Sequence, residues 1–184
     1  MDPWSYLSSK TVFGMTDILS VVSVILLLLL SSFFSASETA FSSVNTLRIK
    51  TYAEEKVKGA RRAQYICDHY DMALACLLVG NNLVNIANTT ICAYMFSRFV
   101  LNPTIANILN TVIMTIVILI FGEILPKAYA KYNSEKYVLR FSGVIYAFMK
   151  IIYIVAVPFF ALQKLVLKNK EVHKITEDEF ETIV

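Results

Sequence analysis

Histidine, cysteine and charge are all scarce in this chain. Of 184 residues only 17% are charged, and there are 2 histidines and 3 cysteines. His69 and His173 lie far apart in polar stretches, which argues against a zinc site. Cys67, Cys76 and Cys92 are an odd number without metal-like spacing. Cys76 and Cys92 fall in an apolar segment, where a free thiol behaves as a small hydrophobe. There is no HExxH, and no serine–histidine or aspartyl pair within the apolar segments. No catalytic residue is assigned, and the chain is not read as an enzyme. A cleavable leader is also missing: Met1–Asp17 has Lys10 as its only basic residue, and "SSFFSASETAF" is no cleavage site. The first hydrophobic segment is therefore read as a retained span.

What the chain has in abundance is apolar length. It is 57% hydrophobic, with mean hydropathy +0.59, whereas soluble domains sit near 45–50%. Three uncharged segments, Ile18–Phe34, Met72–Ser97 and Ile105–Gly122, are of spanning length with their flanks. Basic residues set their direction. Arg48, Lys50, Lys56, Lys58, Arg61 and Arg62 follow the first segment; Lys127, Lys131, Lys136 and Arg140 follow the third. The N-terminus is thus expected outside and Lys127 in the cytoplasm. A fourth segment, Phe141–Leu167, is interrupted by Lys150, Lys164 and Pro158 and has basic residues on both flanks. It is expected as a bent, interfacial or re-entrant helix pair rather than a simple crossing.

The expected fold is an all-α membrane protein. An extracellular segment covers 1–17, spans cover about 18–38, 72–100 and 104–126, and a juxtamembrane belt covers 137–168. The tail "KITEDEFETIV" carries a helix start signal at Thr176 followed by acidic residues. It is expected to open a cytoplasmic helix that continues into a further domain.

Polar groups at membrane depth are costly and point to function. Ser31, Ser35, Glu38 and Ser42 share one face of the first helix, and Ser37 points elsewhere. Asn81, Asn85 and Asn88 share a face of the second; Asn82 is turned away, and Gly80 marks a place where that helix could break. In "LIFGEILPKAYAK", Pro126 has no N–H, so a helix through it leaves the Gly122 carbonyl without its usual donor, beside Glu123. Serines also permit close helix packing, amides also join helices, and Glu123 also has Lys127 at i+4. Taken together, however, carboxylate, amide, hydroxyl and carbonyl oxygens without thiolate or imidazole are what hard cations such as Mg²⁺ or Na⁺ select.

"FFSASETAFSSVN", "VGNNLVNIAN" and "FGEILPKAYA", in this order with a basic loop after the first, resemble the signature stretches of the cyclin M / CorC / CorB magnesium transporter family. The resemblance runs from about residue 18 to the acidic tail. It implies three membrane helices and a belt per protomer, a homodimer in the plasma membrane, an outside N-terminus and a cytoplasmic C-terminus. It implies Mg²⁺ as the transported ion, export coupled to Na⁺ entry, and Mg–ATP-binding regulatory domains beyond this chain. Carried over by motif, the metal ligands are Glu123 and Gly122 of "FGEILPK", Asn81 and Asn85 of "GNNLVN", and Ser35 and Ser37 of "FSASET", with Asn88 extending the asparagine face. No nucleic-acid partner is expected. The alternative is a membrane scaffold that senses Mg²⁺ for a partner transporter or channel.

Overall fold

The structure, a computed structural model, describes residues 14–167, with side chains through residue 152. The N-terminal segment up to residue 13 and the acidic tail, expected to begin a helix, lie outside the described residues. Among those described, every element is helical: α1 (Met15–Ser43), α2 (Thr46–Glu54), α3 (Ala60–Asp68), α4 (Tyr70–Phe99), α5 (Pro103–Val117), a π-helical segment (Ile118–Ile124), α6 (Leu125–Tyr132) and α7 (Ser134–Leu167). Three stretches are long and apolar enough to cross a membrane: Met15–Ser43, Tyr70–Phe99 and Pro103–Tyr132. The all-α expectation with three spans therefore holds.

Local chemistry explains the breaks. Asn102 accepts hydrogen bonds from Thr104 N at 2.9 Å and Ile105 N at 3.3 Å, and Pro103 takes the first helical position, so α5 starts directly after the turn. Asn45 caps α2 by accepting from Arg48 N at 3.2 Å. At the head of α7, Glu135 takes the Arg48 guanidinium of α2 at 2.6 Å. Between α2 and α3, Gly59 has φ 88°, and a Cβ there would stand 2.1 Å from the Leu139 carbonyl oxygen. Only glycine fits that approach. Ser142 then donates to the Gly59 carbonyl at 3.0 Å, fixing the α2–α3 hairpin onto α7.

α1 is the axis of the bundle, packed against α4, the π segment, α6 and α7. Phe33 and Phe34 of α1 meet Tyr137, Phe141 and Phe148 of α7, with Phe34 and Phe148 at 4.7 Å between centroids. Gly80 belongs to this packing. α4 runs through it unbroken, and a Cβ there would come within 2.7 Å of Phe148 and 3.0 Å of Phe34. The glycine gives the rings room; it does not break the helix. Ile49, Ile66 and Ile145 are fully buried beneath the hairpin and belt, each contributing about 2 kcal/mol of burial. The opposite faces, including Leu19, Leu26 and Leu29 of α1 and Ile105, Ile108 and Ile116 of α5, are exposed and apolar, the surface a bilayer covers. α7 differs from the expected helix pair: it is one helix from Ser134 to Leu167, continuous through Pro158. A proline removes a single helical donor, and the apolar sequence on either side keeps its helical register.

Candidate cation site

Ser31, Asn81 and Gly122 bring three elements to one point. Ser31 Oγ donates to Asn81 Oδ1 at 2.9 Å, joining α1 to α4. A Cβ on Gly122 would stand 3.0 Å from the same Ser31 oxygen, so the absent side chain lets the π segment approach α1. All three residues are buried. The π segment itself follows from the sequence around the proline. Leu125 N–H bonds to the Ile120 carbonyl, five residues back. The extra residue re-aims the side chains that follow by about 100°. In π register Pro126 would have served the Phe121 carbonyl, and in α register that of Gly122, so one backbone oxygen of this segment loses its helical donor.

The antiparallel pairing of α1 and α4 then fixes the height of the other predicted residues. Ser35 is one turn further toward the C-terminal end of α1, fully buried, and its Oγ has no hydrogen-bond partner. Asn85 is one turn further toward the C-terminal end of α4, and its Oδ1 is likewise unpartnered. They lie on opposite sides of the Ser31–Asn81 level, each about 6 Å from it along the axis. Asn88 is a further turn along α4 in the same direction, fully buried, with both amide atoms unpartnered. A buried polar group without a partner costs about 1–3 kcal/mol, so this row of oxygens is expensive unless something binds it. Asn82 is exposed, on the outside of the bundle.

Ser37 is used differently. Its hydroxyl donates to the Phe33 carbonyl at 2.6 Å and lies 3.3 Å from Tyr137 Oη, which also donates to Phe33 O at 3.1 Å. This links α1 to the belt helix. Burial raises the Tyr137 pKa, and the Ser37 hydrogen bond works against that rise.

Glu123 follows Gly122 and is half-buried; among the described residues it makes no hydrogen bond or ion pair. Lys127 turns to Glu38 of α1, at 3.5 Å, rather than back to Glu123. Glu123, next in sequence to Gly122, is thereby left without a side-chain partner. Among the described residues no three His, Cys, Asp or Glu side chains cluster. The side-chain oxygens joined here are a hydroxyl and an amide, with a carboxyl next in sequence to Gly122, donor types that suit hard cations.

Two features escaped the sequence reading. Ser31 was visible only as a member of the serine face, and its direct bond to Asn81 requires the tertiary pairing of α1 with α4. Asn110 of α5 is buried, and its Nδ2 lies 3.4 Å from the Thr89 carbonyl. Its signal was an amide within an otherwise oily run.

The cyclin M transmembrane N-terminal domain model matches residues 22–184. The chain belongs to this family. A UPF0053 protein of Haemophilus influenzae is 35% identical over 129 residues, 70% of this chain and 30% of the relative. UPF0053 protein MG146 of Mycoplasma genitalium is 30% identical over 162 residues, 86% of this chain and 37% of the relative. The UPF0053 inner membrane protein YfjD of Escherichia coli is 32% identical over 107 residues, 58% of this chain and 24% of its own length. The matched stretch is thus about a third of these relatives' length. With three spanning helices and this membership, the chain is a membrane protein of the cyclin M family.

Proposed function

We propose that this domain transports Mg²⁺, exporting it by alternating access from a cytoplasm-facing site at the Ser31–Asn81–Gly122 junction. The observation that carries the reading is the meeting of the Ser31–Asn81 pair, the Gly122 close approach and an unpaired Glu123 at one level of an apolar span. Mg²⁺ gives up its water reluctantly and asks for fixed oxygens at about 2.0–2.1 Å. Asn81 Oδ1, Ser31 Oγ and a backbone carbonyl supply neutral oxygens, and Glu123 offsets part of the ion's charge. Ion binding competes with the Ser31→Asn81 hydrogen bond, so a loaded site rearranges locally. The unpartnered Ser35 and Asn85 oxygens stand one turn to either side, toward the inner and outer ends of the path. The family resemblance points to Mg²⁺ as cargo, Na⁺ entry as the coupled flux and a homodimer as the working unit.

Flux from the purified chain reconstituted in liposomes tests this. Glu123→Gln keeps the shape of the side chain and removes its charge. It should cut Mg²⁺ flux roughly 10- to 100-fold, the scale of one charge-assisted contact. Flux unchanged in that variant contradicts the reading, and a wild-type chain that binds Mg²⁺ but moves none is a sensor for some partner instead.

A further inference from the structure

A carboxamide within a membrane helix must be satisfied by some partner. Asn88 on α4 is fully buried, and neither its Oδ1 nor its Nδ2 has one. Asn110 on α5 is buried with its Oδ1 unpartnered, and its Nδ2 has only the long 3.4 Å contact to the Thr89 carbonyl. Thr89 follows Asn88 directly, so Asn110 of α5 reaches the α4 backbone within one residue of Asn88. Asparagines that serve as helix glue bond across the helices they join. Asn88 makes no such bond.

This level is distinct from the inner junction. Asn88 lies about 10 Å beyond Asn81 along α4, toward the end that Arg98 marks. Asn85 stands between them, a turn from each, so Asn81, Asn85 and Asn88 form a ladder of amides leading outward. The sequence of α4 from Met72 to Ser97, and all of α5, carries no charged residue. Neutral oxygens alone hold a bare divalent ion poorly. They suit an ion that keeps part of its water and must leave again.

We propose that Asn88 and Asn110 form a second cation-binding step, outward of the inner junction, where the transported ion is held by carboxamide oxygens while partly hydrated. The proposal rests on the transport reading and adds to it the outward half of the path. Asn88→Leu and Asn110→Leu, in the full chain, test it. Leucine is close in volume and suits lipid, so the fold is kept. Mg²⁺ flux into liposomes should fall roughly 10- to 100-fold, while Mg²⁺ affinity in detergent stays at the wild-type value and Tm is equal or higher. Flux at the wild-type level, or an affinity that falls in step with flux, overturns the proposal. Asn88→Asp gives a readout independent of flux. A carboxylate at a hydrated step should add a second equivalent of Mg²⁺ in a calorimetric titration, whereas a dry packing position takes no further ion, which also overturns the proposal. Should the wild-type chain bind Mg²⁺ without moving it, the transport reading fails, and the Asn88→Asp titration alone decides whether the outer step exists.

Discussion

Polar groups are buried at two levels of the α1–α4 pair, and they are treated in opposite ways. Where the start of α1 meets the end of α4, Asp17, 0% exposed, takes the Arg98 guanidinium at 2.6 Å and the Gly14 N–H at 2.9 Å. Arg98 also reaches Thr16 Oγ1 at 3.0 Å. Every strong contact there closes within the chain. Nearer the middle of the pair, Ser35, Asn85 and Asn88 keep oxygens with no partner, and Glu123 of the π segment makes no hydrogen bond or ion pair. A fold that satisfies the polar groups at that end so fully and leaves those nearer the middle open uses the first as a fastener. The second is where the proposed ion would bind.

Substitutions at the two levels should therefore separate stability from transport. Asp17→Ala strands Arg98 beside a cavity and should cost about 3–5 kcal/mol, the scale for breaking a buried pair, read by thermal or denaturant unfolding. Its Mg²⁺ affinity should stay at the wild-type value. Gly122→Ala pushes a methyl group to 3.0 Å from Ser31 Oγ. It should lower Mg²⁺ affinity about tenfold or more by displacing Ser31 from Asn81, with a smaller loss of Tm. Ser35→Ala should do the reverse of Asp17→Ala: removing an unpartnered hydroxyl leaves Tm unchanged or raised, while flux falls about tenfold. If Ser35→Ala instead lowers Tm and spares flux, the two levels are alike and the contrast fails. Tyr137→Phe removes one hydrogen bond to the Phe33 carbonyl and should cost about 1 kcal/mol. The smallest effect belongs to Cys67, whose pKa is pushed up to about 11, mainly by burial and then by the Asp68 charge. At pH 8 only about one thiol in a thousand is then ionised, so iodoacetamide should label Cys67 far more slowly than free cysteine.

Uncharged runs of spanning length made the helical architecture legible in the sequence. The basic loops carried an expected orientation as well. Heights were not legible. Ser35, Asn81 and Asn85 stand out in sequence as polar residues at membrane depth. That Ser31 rather than Ser35 meets Asn81 depends on how α1 and α4 are paired along their lengths. Gly80 and Gly122 show the same limit. Both interrupt an apolar run, yet one makes room for two phenyl rings and the other for a serine hydroxyl. The Asp17–Arg98 pair joins residues 81 apart in the chain, beyond any local pattern. Ser37 is tied to the belt by a tyrosine 100 residues away.

A structure at saturating Mg²⁺, set beside one without it, tests the candidate site most directly. An ion at the junction should lie about 2.0–2.1 Å from Asn81 Oδ1, Ser31 Oγ and a Glu123 oxygen, with the Ser31→Asn81 hydrogen bond replaced by contacts to the ion. A Mg²⁺-saturated chain in which that bond persists at 2.9 Å and no ion lies within reach of Glu123 would contradict it.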